Sequence, residues 1–370
     1  MITYCIATHI YHVNGTKEVY GPAHDIYDFL ASNKKIVYFI KHDLMGGVES
    51  EVLRKKVEKI GRFHNKNLLI RSFEQIWLNF LLGLKQRGKV YYIGIDPINS
   101  LSGVLLKLFR KTDKNVYFSV DYADKRFNNT FLNGIYHLID KICLYNCDEA
   151  WSVSARIVKK RKEQGIADHK NKLLPNSPFF DKKLIKENKN IDLIIVSNLT
   201  KSLNIFPILE VIKIISQKEK SIRLNIIGAG PEEKHFKDVV AKKSMMKYVR
   251  FLGQMDHAKV LEEISKSFLG FALYTNENTW NTYGDSMKTR EYVAYGIPVI
   301  MNDIPSTADD VREYNAGLVV HDINSKTISS FIEKCILDKE YYNSIRKNAI
   351  SMAKDFDKKK LLKELLIDNK

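Results

Sequence analysis

Along the chain, short runs of β-branched and aromatic residues alternate with longer segments whose apolar positions recur every three to four residues. That rhythm points to βαβ units and parallel sheets, since a strand covered on both faces reads as a continuous apolar run and a covering helix shows one apolar stripe. In the first half the pattern predicts strands at 2–8 (ITYCIAT), 35–41 (KIVYFIK), 67–71 (NLLIR), 89–94 (KVYYIG), 115–120 (NVYFSV) and 149–154 (EAWSVS). Helices fill the gaps, GPAHDIYDFLAS and FNNTFLNGIYHLIDKICLYN among them. Residues 170–190, with two prolines, an Asn-Ser turn and a charged stretch, read as a linker.

Beyond the linker the rhythm restarts. Strands are predicted at 191–198, 223–230, 248–253 and 269–274 and in the runs PVIMN and AGLVV, with helices over 203–218, 231–243 and 256–267 and a helical tail from about 324 onward. The expected architecture is α/β, with two Rossmann-like doubly wound domains facing across a cleft. Their bounds are 1–178 and 179–350, and 351–370 is expected to be a final helix with the first domain as its packing partner. Open sheets of this kind bind ligands at the carboxyl ends of their strands, so function is sought in the loops there.

Composition narrows the class. No apolar run approaches the roughly 18 residues of a membrane span, and MITYCIATHIYHVNGTKEVY has no basic region before its apolar segment, so a cytosolic location is expected. Four cysteines are too few for a disulfide framework; Cys143 and Cys147, four apart, read as core residues on one helix face. Charge changes the picture more. The 59 Lys and Arg against 43 Asp and Glu leave +16, and residues 1–180 hold 28 basic and 17 acidic residues, hence +11 of it. The runs 54–66 (RKKVEKIGRFHNK) and 159–162 (KKRK) carry much of that excess. Either the surface is simply lysine-rich, or the first half meets an anionic partner such as the headgroups of the inner membrane face. A nucleic-acid partner is not expected, because no basic stripe interleaved with aromatics accompanies the charge.

Three stretches of the second half carry candidate chemistry. IIGAGPEEKHF (226–236) follows a strand and opens a helix, so the backbone at Gly228 and Gly230 could approach a phosphate or a base. It is not the G-x-G-x-x-G fingerprint, since Glu233 stands at the third glycine position, and hydride chemistry is disfavoured. VRFLGQMD (249–256) ends a strand on a glycine. YGDSMKTREYVAYGIPVI (283–300) places Lys288 and Glu291 one helical turn apart on a helix read as surface-facing, with Asp285 or Ser286 as its cap and Gly296 as its end. No D-x-D metal motif occurs, and neither metal nor cofactor is expected.

LNIIGAGPEE, VRFLGQM and YGDSMKTREYVAYGIPVI, in that order within one domain, resemble the donor domain of nucleotide-sugar glycosyltransferases of the GT-B fold, most of all glycosyltransferase family 4. LLPNSP (173–178) is similar to the family's Pro-Asn-Gly entry into the linker, and SNLTKSLNIFPILEVI to its first donor-domain turn. The resemblance implies transfer of a sugar, with retention, from a nucleoside-diphosphate donor to a glycan or lipid-linked acceptor in cell-surface polysaccharide or glycoconjugate synthesis. It implies that the base lies against Phe251 to Gly253, with Leu252 in contact, and that Glu291 takes the ribose hydroxyls. The amides of Ser286 and Met287, beside Gly284, would face the diphosphate at a helix N-terminus, with Lys288 adding a full charge.

Three positions depart from the family pattern. Tyr283 stands where the first glutamate of its Glu, seven residues, Glu motif would be; Asn198 and Leu203 replace the usual Arg and Lys, leaving Lys201 as the nearest base; and Val120-Asp121 replaces a His-Asp pair. In the first half, HIYHVNGTKEVYGPAH (9–24) sits where the family's glycine loop meets donor and acceptor, which brings in Gly21 and makes His9, His12 and His24 candidate contacts; HDLMGGVES (42–50) offers a second glycine loop. Asp121 and Lys288 are the catalytic candidates. The donor-binding set is Gly21, Asn198, Lys201, Gly228, Gly230, Leu252, Gly284, Ser286, Met287, Lys288 and Glu291. A degenerate binding or scaffolding protein on this fold, or a nucleotide-sugar epimerase, are the alternatives.

Overall fold

The computed structural model describes residues 2–13, 17–43, 50–53, 57–61, 68–186, 190–201, 203, 205–275 and 279–368. The chain divides into two units, Met1–Leu174 and Pro175–Lys370. The break falls four residues before the expected boundary at 178.

In the first unit the elements run β1 (Ile2–Ile10), β2 (His12–Val13), β3 (Lys17–Glu18), α1 (Pro22–Ser32), β4 (Ile36–Asp43), β5 (Ser50–Leu53), β6 (Val57–Gly61), α2 (Leu68–Leu84), β7 (Lys89–Ile95), α3 (Asp96–Leu108), β8 (Lys114–Ser119), α4 (Thr130–Asn146), β9 (Glu149–Ser152), α5 (Ala155–Glu163) and β10 (Asn171–Leu173). The sheet order is β10-β9-β8-β7-β1-β4-β5-β6. Strands from β10 to β4 pair in parallel, and β5 and β6 close one edge as an antiparallel hairpin. Residues 68–71 begin helix α2 and not a strand. A run of three apolar residues, Leu68 to Ile70, does not separate strand from helix, and here it is continued by a helix to Leu84.

In the second unit the elements are β11 (Asp192–Val196), α6 (Phe206–Lys218), β12 (Arg223–Ile227), α7 (Glu233–Lys242), β13 (Val249–Gly253), α8 (His257–Ser265), β14 (Leu269–Ala272), α9 (Thr279–Tyr283), α10 (Met287–Ala294), β15 (Val299–Asn302), α11 (Thr307–Tyr314), β16 (Gly317–Val320), α12 (Ser325–Leu337), α13 (Lys339–Asp355) and α14 (Lys358–Lys363). All six strands are parallel, in the order β13-β12-β11-β14-β15-β16. Numbered within the unit this is 3-2-1-4-5-6, the doubly wound dinucleotide-binding order, with its switch point between β11 and β14. Successive residues of β11 face opposite layers: Leu193 and Ile195 enter the core under α6 and α12, and Ile194 enters the core under α10, α11 and α13. The residues from 351 on belong to this unit, where Asp357 accepts from the Phe180 amide at 3.0 Å and caps α14 through the Lys359 amide.

Candidate donor-binding site

The site grows from α10, which starts beside the switch point. Ser286 caps the helix, its hydroxyl accepting from the Thr289 amide at 3.2 Å and lying 2.7 Å from the Tyr274 hydroxyl on the loop after β14. Asp285 does not cap. Its fully buried carboxylate accepts from Arg290 Nη2 (2.8 Å), Thr307 Oγ1 (2.8 Å) and the Asn176 amide (2.7 Å). Arg290 also reaches Asp310 at 2.5 Å and stacks its guanidinium on Phe356. Far from facing the surface, α10 is buried from Thr289 to Ala294, because its polar side chains find partners on neighbouring elements. The expectation of an exposed helix is thereby corrected.

This packing selects which groups remain for a ligand. The Ser286 amide donates to Thr307 Oγ1 at 2.7 Å, so it is not available to a diphosphate as the sequence suggested. The next two amides, of Met287 and Lys288, lie in the first turn, where a helix has no carbonyl to receive them. Lys288 is ringed by protein atoms with Nζ 4.9 Å from the Tyr274 ring centroid. Burial lowers its pKa to about 8, against the pull of Glu291, and among the described residues it makes no ion pair. Thr275 Oγ1, on the same loop as Tyr274, is buried without a hydrogen-bond partner among the described residues. One turn along α10, Glu291 is nearly buried and accepts from His257 Nε2 at 2.7 Å. His257, the first residue of α8 and 67% exposed at its side chain, has its pKa raised by that carboxylate.

The glycines serve a different purpose from the one expected. A Cβ on Gly228, whose φ is +133°, would stand 1.9 Å from the Ser197 carbonyl, and one on Gly230 would stand 2.3 Å from the Leu199 carbonyl. The Gly228 amide donates to the Gly253 carbonyl. Close approach here is between the loops after β11 and β12, so these glycines shape the floor of the switch point and Gly228 offers no free amide. Leu252 packs partly buried against the core beneath α10 and α11. The Gly284 carbonyl receives the Ser306 amide and so ties the β14 loop to the β15 loop. Asn198 and Lys201 are exposed on the turn after β11, and Leu203 is a core residue.

The first-half candidates belong to the first unit. The Gly21 amide is taken by His24 Nδ1 at 3.0 Å, and a Cβ there would meet open space, so neither a free donor nor a need for glycine marks it as a phosphate contact. Asp121, just past β8, is paired with Arg126 Nη1 at 2.6 Å. His9 accepts at Nδ1 from Asn99 and donates from Nε2 to Gln75; His12 pairs with Asp43, and His24 with Glu18. These are satisfied structural contacts. Beside them Asp96, at φ +67° on the carboxyl end of β7, keeps Oδ1 buried without a partner, and burial, with Asp121 next, raises its pKa to about 8. The glycine pair of 42–50 lies outside the described residues. Tyr274, His257, Arg290 and Asp96 escaped the sequence reading, because their roles rest on partners on other elements of the fold.

Residues 176–352 match the family model of glycosyl transferases group 1. No curated protein sequence matches. Among solved structures, the fold is that of HepE from Anabaena in complex with UDP (14% identity, 99% of this chain and 98% of that one, TM-score 0.67). It is also that of sucrose-phosphate synthase from Thermosynechococcus elongatus (13% identity, 99% and 97% covered, TM-score 0.66) and of the lipopolysaccharide outer core galactosyltransferase WaaB (16% identity, 100% of both chains, TM-score 0.63). Residues 176–352, which hold α10, the switch point and their supports, are thus similar to the glycosyl transferases group 1, and the whole chain has the GT-B fold, compatible with glycosyltransferase family 4.

Proposed function

We propose that the protein moves a sugar from a nucleoside-diphosphate donor to a glycan or lipid-linked acceptor, with retention at the anomeric carbon, in cell-surface polysaccharide or glycoconjugate synthesis. One neighbour, HepE, was solved with UDP and with UDP-glucose, and another is named for lipopolysaccharide biosynthesis, which supports a uridine nucleotide and a glycan acceptor. The observation that carries the reading is Lys288: a crowded ammonium without an ion pair among the described residues, in the first turn of α10 beside the switch point.

As the bond between the anomeric carbon and the β-phosphate oxygen breaks, negative charge gathers on the departing diphosphate. The Lys288 ammonium and the first amides of α10 stabilise that charge without reorganising. A bound diphosphate also restores the charge partner that burial denies Lys288. Glu291 receives the ribose hydroxyls when His257 swings away, a small movement for a side chain so exposed. Asp121, held by Arg126, is the acceptor-side candidate in the first unit.

The test is calorimetric titration with UDP and with GDP of the wild type, Lys288→Ala and Glu291→Ala. One nucleotide binds, and each substitution weakens it about tenfold or more, the worth of a charged hydrogen bond, with the melting temperature held. Binding unaffected by both substitutions overturns the site; no binding of either nucleotide favours a scaffold on the same fold.

A further inference from the structure

Helix α10 fixes Glu291 more firmly than it fixes the partner of that carboxylate. The helix is buried from Thr289 to Ala294, the Glu291 side chain is 8% exposed, and Arg290 beside it is locked to Asp285 and Asp310. A carboxylate withdrawn from water in this way needs a hydrogen-bond donor. Lys288, one turn back, does not supply it, since its Nζ lies over the Tyr274 ring. Among the described residues the hydrogen-bond partner of the Glu291 side chain is His257, Nε2 to Oε1 at 2.7 Å.

The two partners differ in freedom. His257 opens α8 with most of its side chain in solvent, so its ring can turn away while the carboxylate stays where α10 holds it. It follows closely on Gly253, the end of β13. The imidazole therefore links the strand end to which the family resemblance assigns the base with the carboxylate to which it assigns the ribose. Glu291 is the charge that acts on the ring and raises its pKa. Asp256 and Lys259, its neighbours along the chain, are of opposite sign, and on α10 itself Lys288 and Tyr295 feel the same carboxylate.

We propose that His257 is a positioning residue, a latch that holds the Glu291 carboxylate until the ribose of the donor displaces it, so that donor affinity depends on the charge of the imidazole. A protonated ring gives Glu291 a charge-assisted bond, roughly twice as strong as that of a neutral ring, and the ribose hydroxyls compete with it poorly. Once the ring loses its proton the bond is an ordinary one, and two hydroxyls outweigh it. The nearly buried carboxylate then has a partner at every stage, imidazole before the donor enters and ribose after. The latch deepens the donor reading above and rests on it, since Glu291 has to be the ribose carboxylate.

The test is calorimetric titration of the full chain with UDP-glucose, whose diphosphate has no proton to lose in this range, at pH values from about 5.5 to about 7.5. The upper limit stays below the value of about 8 for Lys288 and so keeps most of that ammonium charged. Wild-type affinity rises about fivefold across the span, the difference between a charged and a neutral hydrogen bond. His257→Ala shows no such rise and binds more tightly than the wild type at the acid end. His257→Gln, whose amide also donates to Glu291 but carries no charge, is flat as well, and thermal melts at each pH check that both variants are folded. A slope that survives in either variant, or an alanine variant that binds more weakly than the wild type at the acid end, overturns the latch, the latter making the imidazole a donor contact. A wild type that binds UDP-glucose without a slope sinks the latch and leaves the donor reading standing; one that binds at no pH sinks both.

Discussion

At the scale of single residues, the donor-site reading turns on charges whose partners are incomplete or replaceable. The contact of His257 with Glu291 raises the histidine pKa from its ordinary 6.5. A raised histidine pKa stabilises the fold below the unfolded value, and the contribution is lost as pH climbs through the higher folded value. The melting temperature of the wild type should therefore exceed that of His257→Ala at about pH 5.5, and the gap should close by about pH 9. Because the imidazole is largely exposed, the gap is worth less than about 1 kcal/mol. A gap that widens with pH would show that the ion pair is not what stabilises the site.

At the scale of elements, α10 is held by a buried ion cluster. Asp285, Arg290 and Asp310 lock the helix start to α11, and Arg290 on Phe356 extends the lock to the residue that closes α13. Removing the central cation leaves two carboxylates in a site that already raises the Asp310 pKa by burial. Arg290→Leu should cost about 3–5 kcal/mol, seen as a lower urea midpoint, and should weaken nucleotide binding by loosening Lys288. An unchanged midpoint would mean that the loop repacks without the cluster. Sequence reading could not find this cluster, because Asp285 and Arg290 are five apart, a spacing that puts them on different helix faces, and Asp310 is twenty residues further on. The helix itself, its cap at Ser286 and its end at Gly296 were legible, since capping chemistry is local.

At the scale of the molecule, each unit carries its own sheet and its own apolar core. The second unit, Pro175–Lys370, should therefore fold when expressed alone and keep the nucleotide affinity of the full chain, measured by circular dichroism and calorimetry. A disordered fragment would show that the first unit is needed for its stability. No helix among the described residues is long and apolar enough to cross a membrane.

The alternation of apolar runs and helical stripes, the restart after the linker and the order of three loop motifs were determined by the sequence alone, because each depends on residues near one another along the chain. Tertiary structure decided which of those loop residues remain for a ligand. Gly228 and Gly230 yield to the carbonyls of Ser197 and Leu199, the Ser286 amide goes to Thr307, and Lys288 is left beside Tyr274 without an ion pair among the described residues. Helix α2 followed the same logic: Gln75 and Asn79 are buried beside the core residue Phe80 because His9 and His42, more than thirty residues upstream, wait there as partners. Burial assigns each polar group to whichever partner the fold brings within hydrogen-bonding distance, and such pairings leave no periodic trace along the chain.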